Sequence, residues 1–163
     1  MTKYYIGIDV GGTFIKGGIV DENGNISADG KVATECERGG DHVSDNIAAL
    51  INDLIEKSGV ESGKIVGVGM GVPGYIDSKR GVVVYAGNLS LSDYHVAEEV
   101  KKRAGFDVKV ANDANVAALG EKKFGSGKEF NDLVLITLGT GVGAGVVIDG
   151  KLFEGNRSAG TEI

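Results

Sequence analysis

Three short stretches of this sequence set acidic, amide and hydroxyl side chains among clustered glycines. The first is Asp9-Val10-Gly11-Gly12-Thr13, where an acidic residue closes an apolar run and a tight turn follows. Glycines in such a turn leave backbone N–H groups uncovered, so phosphate oxygens can approach them. A carboxylate beside phosphates is repulsive unless Mg2+ lies between, directly or through water. The bland alternative is a hairpin whose Asp9 only caps the bend. The second stretch is Gly139-Thr140-Gly141-Val142-Gly143-Ala144-Gly145. Its alternate glycines make a second phosphate cradle, from backbone and the Thr140 hydroxyl, or they only permit close packing of a strand. The third is Asn112-Asp113 at a strand-to-helix junction. Asp113 is either a helix N-cap or a general base that takes the proton from a hydroxyl attacking a γ-phosphate. Those two roles are compatible.

Two other glycine patterns fail on context. Gly69-Met70-Gly71-Val72-Pro73-Gly74 has the spacing of a dinucleotide fingerprint, but Pro73-Gly74 leads into a hairpin and not a helix. Gly125-Ser126-Gly127-Lys128 lacks the upstream glycine of a P-loop, and Glu129 replaces its Ser or Thr. His42 and His95 are isolated, at predicted helix starts, and are expected at the surface.

The elements that position these groups can be read from periodicity. Strands are expected over 3–10, 14–21 and near 25–34, turning at Asp21-Glu22-Asn23-Gly24-Asn25. Val43, Ile47, Leu50, Leu54 and Ile55 fall at helical spacing, which predicts a helix from an Asp41 cap to Lys57, with Gly59 beyond it. A buried strand at 64–70, a hairpin at 77–85 and a helix at 93–104 follow. Then come a strand at 107–111, an Ala-rich helix to about Phe124 and a strand at 133–138. Strands alternating with helices indicate an α/β fold, and the opening meander makes its sheet mixed.

Residues 6–21 align with residues 134–149: Gly11 falls on Gly139, Gly17 on Gly145 and Asp21 on Asp149, a constant offset of 139 − 11 = 128. Either two hairpins look alike by chance, or a β-β-β-α-β-α-β unit is duplicated, with glycine turns facing each other across a cleft. On the second reading, residues 1–118 form one domain. Residues 119–163 are then the end of an interdomain helix and the opening hairpin of a second domain. Strands at 133–153 would expose apolar faces and edges, so this stretch is expected either to recruit another copy, giving a homo-oligomer, or to be disordered while residues 1–118 stay folded.

The chain has 163 residues, 28 of them glycine, a formal net charge of −6 and one cysteine, Cys36. The acidic balance argues against nucleic acid or an anionic membrane as partner. A single cysteine excludes an internal disulfide and a cysteine-rich zinc site within these residues. No signal segment is expected before the first strand, and no apolar run reaches the ~20 residues of a membrane helix. A cytoplasmic location is expected.

Asp9-x-Gly-Gly-Thr, Gly71-Val-Pro-Gly74, Asn112-Asp-Ala-Asn115, Leu138-Gly-Thr-Gly-Val-Gly-x-Gly145 and Ser158-Ala-Gly-Thr-Glu-Ile163 occur in one order. Together they resemble the ROK family of sugar kinases and sugar-responsive repressors, within the superfamily of actin, hexokinase and the heat-shock chaperones. The resemblance implies a ribonuclease H-like, actin-like ATPase domain with a mixed sheet and flanking helices, followed by the first strands of a second such domain. It implies ATP-dependent phosphorylation of a hexose, glucokinase-like, at the 6-hydroxyl. Asp113 would be the base and Asp9 would position Mg2+. Gly11, Gly12, Thr13, Thr140 and Gly141 would hold ATP phosphates, while Asn88, Asn112, Asp113 and Glu162 would bind the sugar. In the family, a Gly-His pair and a cysteine-rich zinc motif follow the position of Ile163. Structural zinc is therefore expected only in a longer chain, and these 163 residues alone are expected to lack turnover. Two alternatives are a sugar-responsive repressor core and a non-catalytic actin-like sugar-binding module. The few residues before the first strand, where no helix-turn-helix is expected, and the acidic charge speak against the former, and Asp113 beside Asn112 against the latter.

Overall fold

The computed structural model describes residues 2–139 and 141–155. Its main sheet has five strands: β1 (Tyr4–Val10), β2 (Phe14–Asp21), β3 (Ile26–Ala33), β4 (Ile65–Val72) and β8 (Val108–Asn112), in the order β3-β2-β1-β4-β8. The first three strands form an antiparallel meander, and β4 and β8 add in parallel. The parallel pairs need crossovers. These are helix α1 (Gly40–Ser58) before β4 and helix α2 (Val96–Ala104) before β8.

Strand alternation puts Ile6, Ile8 and Val10 of β1 on the buried face, with Tyr5, Gly7 and Asp9 on the other. On α1, Val43, Ile47, Leu50, Ile51 and Leu54 form the stripe that covers this apolar face. Close seating of α1 requires Gly17 on β2. A Cβ there would stand 2.7 Å from Ile8 Cδ1 and 3.0 Å from Leu54 Cδ1.

Between β4 and α2, strands β5 (Tyr75–Asp77), β6 (Val82–Ala86) and β7 (Leu91–Tyr94) make a small antiparallel sheet. Helix α3 (Asp113–Phe124) follows β8 directly. A third sheet contains β9 (Leu133–Leu138), β10 (Val142–Ile148) and β11 (Lys151–Leu152), ordered β11-β10-β9. Ala144 and Val147 of β10 are buried, whereas Val134, Ile136 and Leu138 of β9 are exposed. No described helix is long and apolar enough to cross a membrane.

The structure departs from the sequence expectations in local detail. Helix α1 is capped by Gly39, and Asp41 lies inside the first turn. Residues 91–94, partly expected as helix, pair instead with β6, and α2 begins at Val96 after His95. His42 is partly buried, and its Nε2 lies 2.7 Å from Glu35 Oε2. The predicted surface position holds for His95, whose side chain is 49% exposed.

Candidate active site

Strand register brings the first and third stretches together. Asp9 on β1 pairs with Gly71 on β4, and Gly71 pairs with Ala111 on β8. The C-terminal ends of these three parallel strands therefore coincide, which is where open α/β sheets bind ligands. Gly71 has no side chain to fill the space. A Cβ there would come 3.4 Å from Asp113 Cα, so Asp113 stands directly over that position.

The junction divides two tasks between neighbouring residues. Asn112 is the N-cap of α3: its Oδ1 accepts from Ala114 N at 3.0 Å and Asn115 N at 3.3 Å. Its Nδ2 donates to Gly74 O at 3.1 Å. Asp113 is thus the first helical residue and not the cap, though its Oδ1 also accepts from Ala114 N at 2.9 Å. The Asn112 bond ties α3 to the Val72-Pro73-Gly74 bend. Gly74, at φ 96°, permits that bend, and a Cβ there would meet Tyr85 O at 2.3 Å.

The first glycine turn lies beside this junction. Gly11 N donates to Phe14 O at 3.0 Å and closes the β1–β2 hairpin. A Cβ on Gly12 would stand 3.3 Å from Asn88 O, so the turn touches the loop that carries Asn88. Asp9, Gly11, Gly12, Asn88, Asn112 and Asp113 line one cleft of about 750 Å3 with the β9–β10 turn on its far wall.

Along that far wall the glycines of the second stretch differ by position. Gly139 and Gly141 line the cleft, and nothing lies within 4 Å of a Cβ built on either. Gly143 lines the cleft too, although a Cβ there would stand 2.7 Å from Thr137 Oγ1, and Gly145 serves packing. A Cβ on Gly145 would strike Ala118 Cβ at 2.6 Å and Ala114 O at 2.5 Å, so this glycine lets α3 lie against β10. Thr13 is exposed at the first turn. Thr140 and Glu162 lie outside the described residues.

Two cleft residues went unnoticed in the sequence. Lys16 pairs with Asp9 across the β1–β2 hairpin, and both line the cleft. Thr137 sits on the opposite wall. Strand alternation could have found Lys16, because it occupies the register position opposite Asp9. Dehydration in the cleft floor raises the Asp9 carboxyl above its usual range. Lys16 pulls it back down, and the charge of Asp113 raises it further. No residue among those described donates a hydrogen bond to that carboxylate. Nor does any group of three His, Cys, Asp or Glu gather among the described residues.

Comparison with known proteins adds four findings. The family model described as "ROK family" matches residues 5–163. A glucokinase of Streptomyces coelicolor is 41% identical over 158 residues, which are 97% of this chain and 48% of the relative. A xylose repressor of Caldicellulosiruptor bescii is 37% identical over 123 residues, 73% of this chain and 31% of the repressor. Among solved structures, a ROK family glucokinase from Streptomyces griseus, in complex with glucose and AMPPNP, superposes with a TM-score of 0.89 at 40% identity. That match covers 98% of this chain and 49% of the other. The chain spans about half the length of the curated glucokinase it matches.

Proposed function

This chain belongs to the ROK family, and from that premise we propose that it carries the sugar and phosphate machinery of an ATP:hexose phosphotransferase. The observation that supports this most is the division of labour at the β8–α3 junction. Because Asn112 caps the helix, the Asp113 carboxylate faces a cleft shared with two glycine turns.

In this reading a hexose hydroxyl, the 6-hydroxyl of a glucose-like sugar, lies against Asp113. Asp113 accepts the hydroxyl proton while the oxygen forms its bond to the γ-phosphorus. The bond from that phosphorus to the bridging oxygen breaks, and its electron pair leaves on ADP. Gly11 shapes the first turn, its own N–H closing the hairpin, while backbone N–H groups of Gly12 and Thr13, and those around Thr140 and Gly141, receive phosphate oxygens. Lys16 adds a cation beside them. Asn88 and Glu162 serve the sugar hydroxyls, and Asn112 retains one amide N–H for the same purpose. The lone Asp9 carboxylate fits Mg2+, which keeps most of its waters and takes one or two carboxylates plus phosphates. When bound, the ion neutralises charge developing on the phosphates. Residues 1–118 form the first domain of this enzyme, and residues 119–163 lead into a second. Its setting is the cytoplasm, with neither nucleic acid nor membrane as partner. The exposed face of β9 supports association with a further copy.

The test is Asp113→Asn, assayed by hexose-dependent ADP release in the complete reading frame that contains these residues. Losing a general base lowers kcat by roughly 10²–10⁴-fold, and the hexose KM should move far less. Near-normal turnover would remove Asp113 from this role.

A further inference from the structure

Three consecutive carbonyl oxygens of the first glycine turn face one corner of the chain, at the end of β3. Thr34 is fully buried there. Its Oγ1 donates to Gly11 O at 2.6 Å, and its N–H donates to Thr13 O at 3.0 Å. Between them, Cys36 Sγ lies 3.8 Å from Gly12 O and also 3.7 Å from Asn88 O. No described peptide is cis. In a trans peptide the C=O of one residue and the N–H of the next point to opposite sides. Turning the Gly11 and Gly12 carbonyls toward this corner therefore turns the N–H groups of Gly12 and Thr13 away from it. Neither amide has a described hydrogen-bond partner, and Gly12 lines the cleft.

The corner is itself held. Asn46 of α1 donates through Nδ2 to Ala33 O at 3.2 Å and Thr34 O at 3.4 Å. His42 of the same helix meets Glu35, which adopts φ 50°. A left-handed conformation at a non-glycine residue persists only where the surroundings impose it.

We propose that Thr34 is a positioning residue for phosphoryl transfer. Its hydroxyl holds the Gly11 carbonyl so that the Gly12 and Thr13 amides face the cleft as phosphate donors. Cys36 extends the same corner to the Asn88 loop, so the nucleotide and sugar sides of the cleft are set from one place. This inference rests on the phosphotransferase reading above.

Thr34→Val keeps the shape and removes the donor, leaving the Gly11 carbonyl without its partner. The cost of an unsatisfied group predicts a nucleotide KM raised about 10-fold or more, with the hexose KM within about twofold. Thr34→Ser, which restores the hydroxyl, should return the nucleotide KM to within about threefold of the parent. A merely structural residue would lower the melting temperature and leave the ratio of the two KM values unchanged, and that result overturns the proposal. If Thr34→Val does not fold, Cys36→Ala decides. It should raise both KM values, because Cys36 touches both loops, and unchanged values overturn the proposal. Asp113→Asn, run in parallel, separates the failures. Lost turnover there with an unaffected Thr34→Val sinks only the Thr34 inference. Retained turnover in Asp113→Asn sinks the phosphotransferase reading, and the Thr34 role falls with it.

Discussion

Asp9 in the first glycine hairpin corresponds to Thr137 in the second, and Lys16 to Ala144, at the 128-residue offset that relates Gly11 to Gly139. Both hairpins present a glycine turn to the same cleft. Their settings differ as much as their charges. Strand β2 lies between β1 and β3, and the first turn is tied back by Thr34. Strand β9 is the edge of its sheet, and within its turn Gly139 N donates to Gly141 O at 2.9 Å. The carboxylate and the lysine stand in the hairpin with the firmer backing. A charged group orients a phosphate usefully only if its own position is fixed. On the proposed reading, the neutral hairpin needs to supply backbone donors alone, which an edge hairpin can do.

The sharpest way to break this contrast is to remove the polar group's chemistry at both positions. Asp9→Asn should lower kcat by roughly 10²–10³-fold, the loss typical of one preorganised electrostatic group. Thr137→Val, its counterpart, should change kcat by less than about tenfold. Equal losses in steady-state kinetics would mean the two turns are chemically equivalent.

A smaller effect separates the two kinds of glycine within the second turn. Gly145→Val overpacks the α3–β10 contact and should destabilise by about 1–3 kcal/mol in urea unfolding. Gly141→Ala, with open space around it, should shift stability by about 0.5 kcal/mol or less. A stability loss at Gly141 matching that at Gly145 would contradict the assignment of Gly141 to the cleft.

The smallest expected effect is on the first turn's stability against pH. The folded carboxyl of Asp9 is raised above its usual value of 3.8. A raised carboxyl binds its proton more tightly in the folded state. Its favourable contribution is complete below the unfolded value and is lost as pH rises through the folded one. Asp9→Asn should therefore raise the melting temperature near neutral pH, and the gain should vanish below about pH 3.8. A variant less stable than the parent at pH 7 would reverse the sign.

Much of this arrangement was legible in the sequence, because it is local. The meander, the α1 stripe and the glycine turns follow from alternation and helical spacing within a few residues. The start of α2 was not, because Leu91–Tyr94 is drawn into pairing with β6. Asp93 there takes φ 47°, which no propensity signals. The cap at the β8–α3 junction falls one residue before Asp113, since Asn and Asp are nearly equal as caps. Thr34 and Cys36 were invisible for another reason. Their contacts join residues 23 and 52 apart in the chain, and only the fold brings them together.

The cap on α3 has a consequence for how such a chain can change over generations. Asn112 secures the helix start and the Gly74 bend, so the architectural share of residue 113 is a single bond, accepted by its Oδ1 from Ala114 N. Replacement there leaves the cap, the sheet register and the sugar-facing loop in place. On the proposed reading, a lineage could then forfeit phosphoryl transfer in one step and keep a folded core. Reacquiring transfer takes one step in the other direction. A scaffold with that property can descend as an enzyme or as a sugar sensor, and position 113 is where the two histories would part.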